Sequence, residues 1–309
     1  MSKSNLEALY FTSPEAARKH LERQVWPDGP VCPHCGALGD HYKLEGKTTR
    51  PGLYKCKDCR EPFTVTVGTI FERSKVPLNK WLLAVYLLCS SKKGISSHQI
   101  HRTLGVTYKT AWFMTHRIRE AMKDTGTDKL GGAGTSGIVE ADETYYGKSK
   151  SNRKGEKLAP KQKIVALVER NGRVRAFHVP SVTVHTLKPI LEQQIEASAR
   201  LMTDSAGMYE EIGKSFQSHE TVNHTVKEYA RGDVTTNTVE GYFGILKRGI
   251  HGIYQHVSPE HLNRYVGEFS FRYNNRKVTD SERANNAVKG IVGKRLTYRR
   301  SNQGTEGAV

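Results

Sequence analysis

Two sets of side chains in this sequence have the types and spacings that chemistry requires. The first is four thiols. Cys32 and Cys35 flank Pro-His, Cys56 and Cys59 flank Lys-Asp, and twenty residues separate the two pairs. Knuckles at this interval meet around one tetrahedral Zn2+, and four thiolates leave no open position, so the site reads as structural. A pair of unrelated CxxC sites or a redox dithiol is the competing reading. Against it, each pair is followed by a turn-type residue, Gly36 or Arg60. With the coordination sphere full, His34 and His41 are expected to face solvent. The fifth cysteine, Cys89, sits in an apolar run and reads as a small hydrophobe.

The second set is acidic. Asp142 lies within the apolar run GIVEADETYYG, Asp204 ends RLMTD, and Glu240 belongs to TTNTVEGYFGILKRG. If the two aspartate strands are neighbours and the glutamate helix packs over their ends, three carboxylates converge. Hard Mg2+ favours such oxygens, with Mn2+ as a substitute, and two ions about 4 Å apart would serve in-line displacement at phosphorus. Alternation along the first strand sets Glu140, Asp142 and Thr144 on one face and turns Glu143 away. A helix capped by Thr236 and running to Arg248 would bring Asn237, Glu240, Gly244 and Lys247 to one side. Val239, Tyr242, Phe243 and Leu246 would form its apolar stripe. Taken alone, that stretch also fits a surface helix with a solvated charged face.

The elements that must hold these groups call for several modules. The chain has 309 residues, and 48 Lys and Arg against 31 Asp and Glu give a formal net charge of +17. A polyanion is therefore the expected partner, nucleic acid before a membrane surface. No apolar run is long enough to span a bilayer, the opening does not read as a signal peptide, and paired cysteines of metal-site type suit a reducing compartment. The expected location is cytoplasmic and associated with the nucleoid.

Residues 1–29 read as an N-terminal helical region, with Pro14 at the first helical position after Ser13. Residues 30–75 form the zinc ribbon, its strands within HYKLEG, LYKCKD and PFTVTVGTIFE. Residues 76–125 turn helical. WLLAVYLLCSSKKG is apolar nearly all round, and ISSHQIHRTLGVTYKTAWFMTHRIREAM splits at Leu104-Gly105-Val106. The split gives one helix capped by Ser96 or Ser97 and a second opened by Thr107, a helix-turn-helix pattern. In the second helix Tyr108, Lys109, His116, Arg117 and Arg119 are expected outside, with Ala111, Met114 and Ile118 inside. Lys109, Arg117 and Arg119 are thus candidate DNA contacts. Residues 126–136 read as a linker. Residues 137–292 read as an α/β domain with a mixed sheet, and 293–309 as a basic, flexible tail. Within the α/β domain, the basic stretch GKSKSNRKGEKLAPKQK suits contact with phosphates.

Asp142 in VEADETYYGK, Asp204 in LMTDSAGMY, and TTNTVEGYFGILKRGIHGIYQHVSPEHLNRYVGEFSFRYNNR resemble the three blocks of bacterial insertion-sequence transposases. These are the DDE enzymes that combine a zinc ribbon, a helix-turn-helix and a catalytic domain of ribonuclease H-like fold. The likeness covers nearly the whole chain. The thirty-five residues between Asp204 and Glu240 are similar to the interval many DDE transposases keep. The resemblance implies strand cleavage and strand transfer with Mg2+ held by Asp142, Asp204 and Glu240. Asn237 is the competitor for the third position, because some members use an asparagine there. It further implies that Lys247, with Arg248 beside it, holds the transposon-end backbone. The expected partners are double-stranded DNA, as terminal inverted repeats and target, and at least one further copy of the chain. Thr235 stands where the family block has a histidine. A catalytically silent or domesticated DNA-binding regulator and a simple metal-dependent nuclease are the alternative readings.

Overall fold

The computed structural model describes residues 5–39, 41–147 and 161–297. Residues 1–4 of the N-terminal region, 148–160 of the basic stretch and 298–309 of the tail lie outside the described residues. Contacts divide the chain into two units, Met1–Met122 with Val278–Val309, and Lys123–Lys277.

In the first unit, α1 (Leu9–Thr12) leads into α2 (Pro14–Val25), whose N-cap Ser13 accepts a hydrogen bond from the Ala16 N–H. Three short strands, β1 (Tyr42–Leu44), β2 (Leu53–Lys55) and β3 (Pro62–Phe63), pair antiparallel in sequence order. α3 (Leu78–Ser90) is buried along most of its length, Cys89 included. α4 (Ser97–Leu104) is capped by Ser96 and stops at Gly105, which adopts the left-handed conformation. Thr107 then accepts from the Thr110 N–H to open α5 (Tyr108–Ala121). Two helices and the tight turn between them thus fall where the Leu104-Gly105-Val106 break puts them.

The second unit carries the mixed sheet. Its strands are β4 (Ile138–Tyr146), β5 (Gln162–Glu169), β6 (Val174–Val179), β7 (Arg200–Asp204) and β8 (Ser218–Val222), after which comes a small hairpin of β9 (Ala230–Arg231) and β10 (Val234–Thr235). The five long strands lie in the order β6-β5-β4-β7-β8, antiparallel from β6 to β4 and parallel from β4 to β8. Helices cover both faces. α6 (Val184–Gln194) and α7 (Met208–Gly213) share a core with Val139, Ala141, Val165 and Leu167. α8 (Asn237–Gly249) and α9 (Pro259–Asn274) share the opposite core with Ile164, Ala166 and Val168. Strand alternation thus decides which helix pair each β4 and β5 side chain meets. α8 runs on into a π-helical turn, Ile250–Tyr254, instead of stopping before Gly249.

Two boundaries differ from the sequence reading. α10 (Asp280–Lys289), expected to close the α/β domain, clusters with the first unit. Thr279 and Glu282 form a capping box that starts a separate helix, whose Ala284, Ala287 and Val288 are buried, and Arg283 donates to the Cys89 carbonyl at 3.0 Å. At the other end, the Gly-rich stretch expected as a linker is fastened to the second unit. Leu130 is fully buried and bridges to Ile195, the Gly131 N–H donates to Glu169 at 2.8 Å, and buried Arg175 donates to the Gly126 carbonyl at 3.1 Å.

Candidate metal centre and active site

The cysteine knuckles are built by backbone before any metal enters. Cys32 N–H donates to the Ala37 carbonyl and Gly36 N–H to that of Cys32, both at 2.9 Å, while Cys56 N–H donates to the Glu61 carbonyl at 3.0 Å. Gly36 and Arg60 take the positive φ values, 78° and 63°, that fold each loop back. Four Sγ atoms consequently lie within 4.8 Å of one another, with Cys32–Cys59 and Cys35–Cys56 at 3.6 Å. Tetrahedral coordination with Zn–S bonds near 2.3 Å places sulfurs about 3.8 Å apart, so the cluster fits zinc. Trp26, Tyr54 and Phe63 pack around it. His34 is exposed as expected. His41 is not: its ring meets Phe63 edge-on and its Nε2 lies 3.0 Å from the Ala37 carbonyl, so it braces the first knuckle.

In the second unit the carboxylates approach from three elements. Asp142 lies on the α8 side of β4, and Glu143 on the other, where it accepts a hydrogen bond from Tyr209 on α7 at 3.0 Å. Glu140 is paired with Met202 in the parallel ladder of β4 and β7. Two residues further along each strand, Asp142 and Asp204 come level. Asp204 ends β7 and accepts from the Ala206 N–H at 3.1 Å, which turns the chain away and leaves its carboxylate at the carboxyl edge of the strand. Glu240 projects from the first turn of α8 on its exposed side, together with Asn237, Lys247 and Arg248. Val239, Tyr242, Phe243 and Leu246 are buried on the opposite side.

Burial pushes the Asp142 carboxyl up to about 7, and the charges of Glu143, Asp204 and Glu240 push in the same direction against a lowering hydrogen bond from the Glu143 N–H. Burial and the charge of Asp204 likewise raise Glu143, with the Tyr209 hydrogen bond opposing. These acids therefore share one electrostatic environment. A divalent cation would relieve it, and an all-oxygen donor set suits Mg2+ or Mn2+. The grouping is looser than the thiol cluster: among the described residues, only the four cysteines bring three or more ligand atoms within 4.8 Å of one another.

Three residues at this site were not singled out from the sequence. His224 brings Nδ1 to 3.5 Å from Glu240 Oε1, and its Nε2 lies 3.3 Å from the Thr236 hydroxyl. A histidine thus stands beside Glu240 although Thr235 occupies the position where one was expected. Glu140, with no exposed surface, accepts from the Thr238 and Val239 N–H groups at 2.8 and 3.1 Å and from the Thr238 hydroxyl at 2.8 Å. Arg170 pairs with the same carboxylate at 2.8 Å. The cap of α8 therefore comes from β4. Thr236, expected to cap, makes no such bond, and its hydroxyl donates instead to Glu240 at 3.3 Å.

The cations assigned to α5 separate. Lys109 is exposed and Tyr108 45 % so, as expected. Arg117, Arg119 and His116 are buried, which corrects their outward placement. Arg117 donates to the Glu72 carbonyl at 2.9 Å and to that of Leu296 at 3.2 Å, and its guanidinium lies over the rings of Trp81 and Phe113. Arg119 donates to Thr115 at 3.2 Å. Beside α5 runs a groove of about 490 Å³ whose lining includes Arg73, Lys75, Lys109 and Arg295.

Comparison with known proteins bears on both units. Residues 12–61 match the transposase zinc-ribbon domain, and residues 134–274 match the ISXO2-like transposase domain. A relative in Halobacterium salinarum, described as an uncharacterized protein in transposable element ISH50, is 28 % identical over 279 residues, covering 85 % of this chain and 91 % of the relative.

Proposed function

We propose that this chain, which belongs to the insertion-sequence transposases that join a zinc ribbon to an ISXO2-like transposase domain, binds the ends of its element and performs metal-dependent strand cleavage and strand transfer. One observation carries the chemistry. Asp142 and Asp204 come level where the parallel pairing of β4 and β7 ends, and the charge of Glu240 is felt at Asp142. Outside the carboxyl ends of such strands is where open α/β sheets bind ligands. The order of strands and helices is compatible with a ribonuclease H-like domain.

Asp142, Asp204 and Glu240 would hold Mg2+, which supplies Lewis acidity toward the phosphoryl oxygens and a lowered pKa for the attacking hydroxyl. The remaining work falls to the chain. Burial of Asp142 limits access of bulk water, and the Thr236 hydroxyl and His224 orient Glu240. Asn237, one turn earlier, orients a water or a phosphate. Lys247 and Arg248, exposed on the same helix, grip the backbone of the transposon end, since ammonium and guanidinium groups have no lone pair to give a metal.

End recognition belongs to the first unit in this reading. α4 and α5 act as a helix-turn-helix, with Lys109 and the basic groove beside it meeting phosphates. The net charge of +17 supports a polyanionic partner. No described helix is long and apolar enough to cross a membrane. In this reading the enzyme works at the nucleoid, as at least a dimer on DNA. The test is incubation of the purified chain with DNA carrying its element's ends in Mg2+. Covalent joining of a 3′ end to target DNA is expected. Fragment release without joining would identify a simple nuclease, and binding without either reaction a silent regulator.

A further inference from the structure

The helix that carries Glu240 is not held to the sheet by its apolar stripe alone. Its first free N–H groups, from Thr238 and Val239, end on a single carboxylate, that of Glu140, which also takes the Thr238 hydroxyl. Side-chain oxygens at a helix N-terminus normally come from the residue just before it; here the cap comes from a strand 98 residues earlier in the chain. Arg170 supplies the counter-charge through Nε at 3.1 Å and Nη2 at 2.8 Å. The same guanidinium donates to the carbonyls of Asp233 and Thr235, at 2.8 and 3.3 Å, in the hairpin that feeds α8.

The placement of this clamp is specific. Glu140 is two residues before Asp142 on the same face of β4, and Val239 immediately precedes Glu240. From Asp142 to Glu240 the path runs through Ala141, the Glu140 carboxylate and the Val239 amide, with one hydrogen-bonded step. A fully buried carboxylate is costly unless every oxygen is satisfied, and this one is satisfied only while α8 begins where it does. Sliding α8 by one residue would unpair Glu140 and move Glu240 about 100° around the helix.

We propose that Glu140, backed by Arg170, is a positioning residue that sets the register of Glu240 against Asp142 and thereby assembles the divalent-metal site. The proposal rests on the reading of Asp142, Asp204 and Glu240 as metal ligands. Residues that orient metal ligands typically change metal affinity 10–100-fold when altered, and a similar loss is expected here.

Mn2+ titration of the full, zinc-loaded chain without DNA, followed by the electron paramagnetic resonance signal of the free ion, reads that affinity directly. Glu140→Gln keeps the volume and removes the charge that holds Arg170 and the helix amides. It should raise the Mn2+ dissociation constant at least about tenfold, with zinc content and DNA binding unchanged. Thr238→Val, which deletes one contact and leaves both carboxylate–amide bonds, should raise it about two- to fivefold. If Glu140→Gln does not fold, the Thr238→Val value decides alone. Unchanged Mn2+ affinity in a folded Glu140→Gln chain, or in Thr238→Val if only that variant folds, would overturn the proposal. Asp142→Asn, run alongside, must lose Mn2+ binding; if it binds as tightly as the unaltered chain, or if the unaltered chain binds none, the metal-ligand reading itself fails and the clamp proposal falls with it.

Discussion

Replacing Asp142 by asparagine should stabilise the protein while disabling it. The carboxyl is pushed up from 3.8 to about 7, burial first and the neighbouring carboxylates after it. Between those values the folded chain keeps a proton that the unfolded chain has released, so stability falls as pH rises from about 4 to about 7 and stays low above. At 1.36 kcal/mol per pH unit the whole shift corresponds to about 4 kcal/mol. That is a ceiling, because Asp142 retains some solvent contact; roughly 1–3 kcal/mol is expected near pH 8 and little near pH 4. Tryptophan fluorescence would miss the effect, since Trp26, Trp81 and Trp112 all lie in the first unit. Hydrogen exchange of the β5 amides, which pair with β4 along its length, reports on the second unit. The buffer should lack Mg2+ without containing a chelator, so that zinc stays bound. Slower exchange in Asp142→Asn than in the unaltered chain near pH 8, the gap closing near pH 4 and shrinking on addition of Mg2+, is the expected result. Equal exchange at both pH values would refute the claim that the site holds uncompensated charge.

Other consequences can be checked singly. Cys35→Ser should abolish stoichiometric zinc, measured by atomic absorption, and unfold the ribbon, because a region with so small a core depends on its metal; a folded, metal-free ribbon in circular dichroism would contradict the assignment. Arg117→Ala should destabilise the first unit by about 2–4 kcal/mol in denaturant titration, since it strips two carbonyls of charged donors and two rings of their cation; a stable Arg117→Ala chain with weakened DNA binding would restore the outward reading. Lys109→Ala should weaken binding to the element end and lower the slope of log affinity against log salt by about 1; an unaltered slope would remove Lys109 from the interface.

Much of the fold was legible because it follows local rules. The positive-φ knuckle residues, the Gly105 stop, the Ser96 and Thr107 caps and the alternation that parts Asp142 from Glu143 each depend on a few neighbouring residues. What the sequence could not show depends on distant ones. The spacing that makes Met114, Ile118 and Ala121 a buried stripe leaves Arg117 on its flank, three residues after Met114, and only Trp81, Phe113, Glu72 and Leu296 decide that its guanidinium turns inward. Thr236 is a good cap by type, yet Glu140 reaches the helix amides from another strand and frees the threonine hydroxyl for Glu240. Glu140 shares Asp142's face by alternation, so its direction was readable, but a wholly buried carboxylate has no marker in a string of residues. The helix Asp280–Lys289 is amphipathic with either unit as partner, and its pairing with α3 emerges only in the folded chain.

In the proposed reading Asp142, Asp204 and Glu240 carry out the DNA chemistry, with Asn237 beside them as a helper. Strand transfer of a precut element end in Mg2+, compared for Glu240→Gln and Asn237→Ala at matched DNA occupancy, tests it most directly. Loss of joining by several orders of magnitude in Glu240→Gln, against a modest decrease in Asn237→Ala, is the predicted result. An active Glu240→Gln chain beside an inactive Asn237→Ala chain would contradict it.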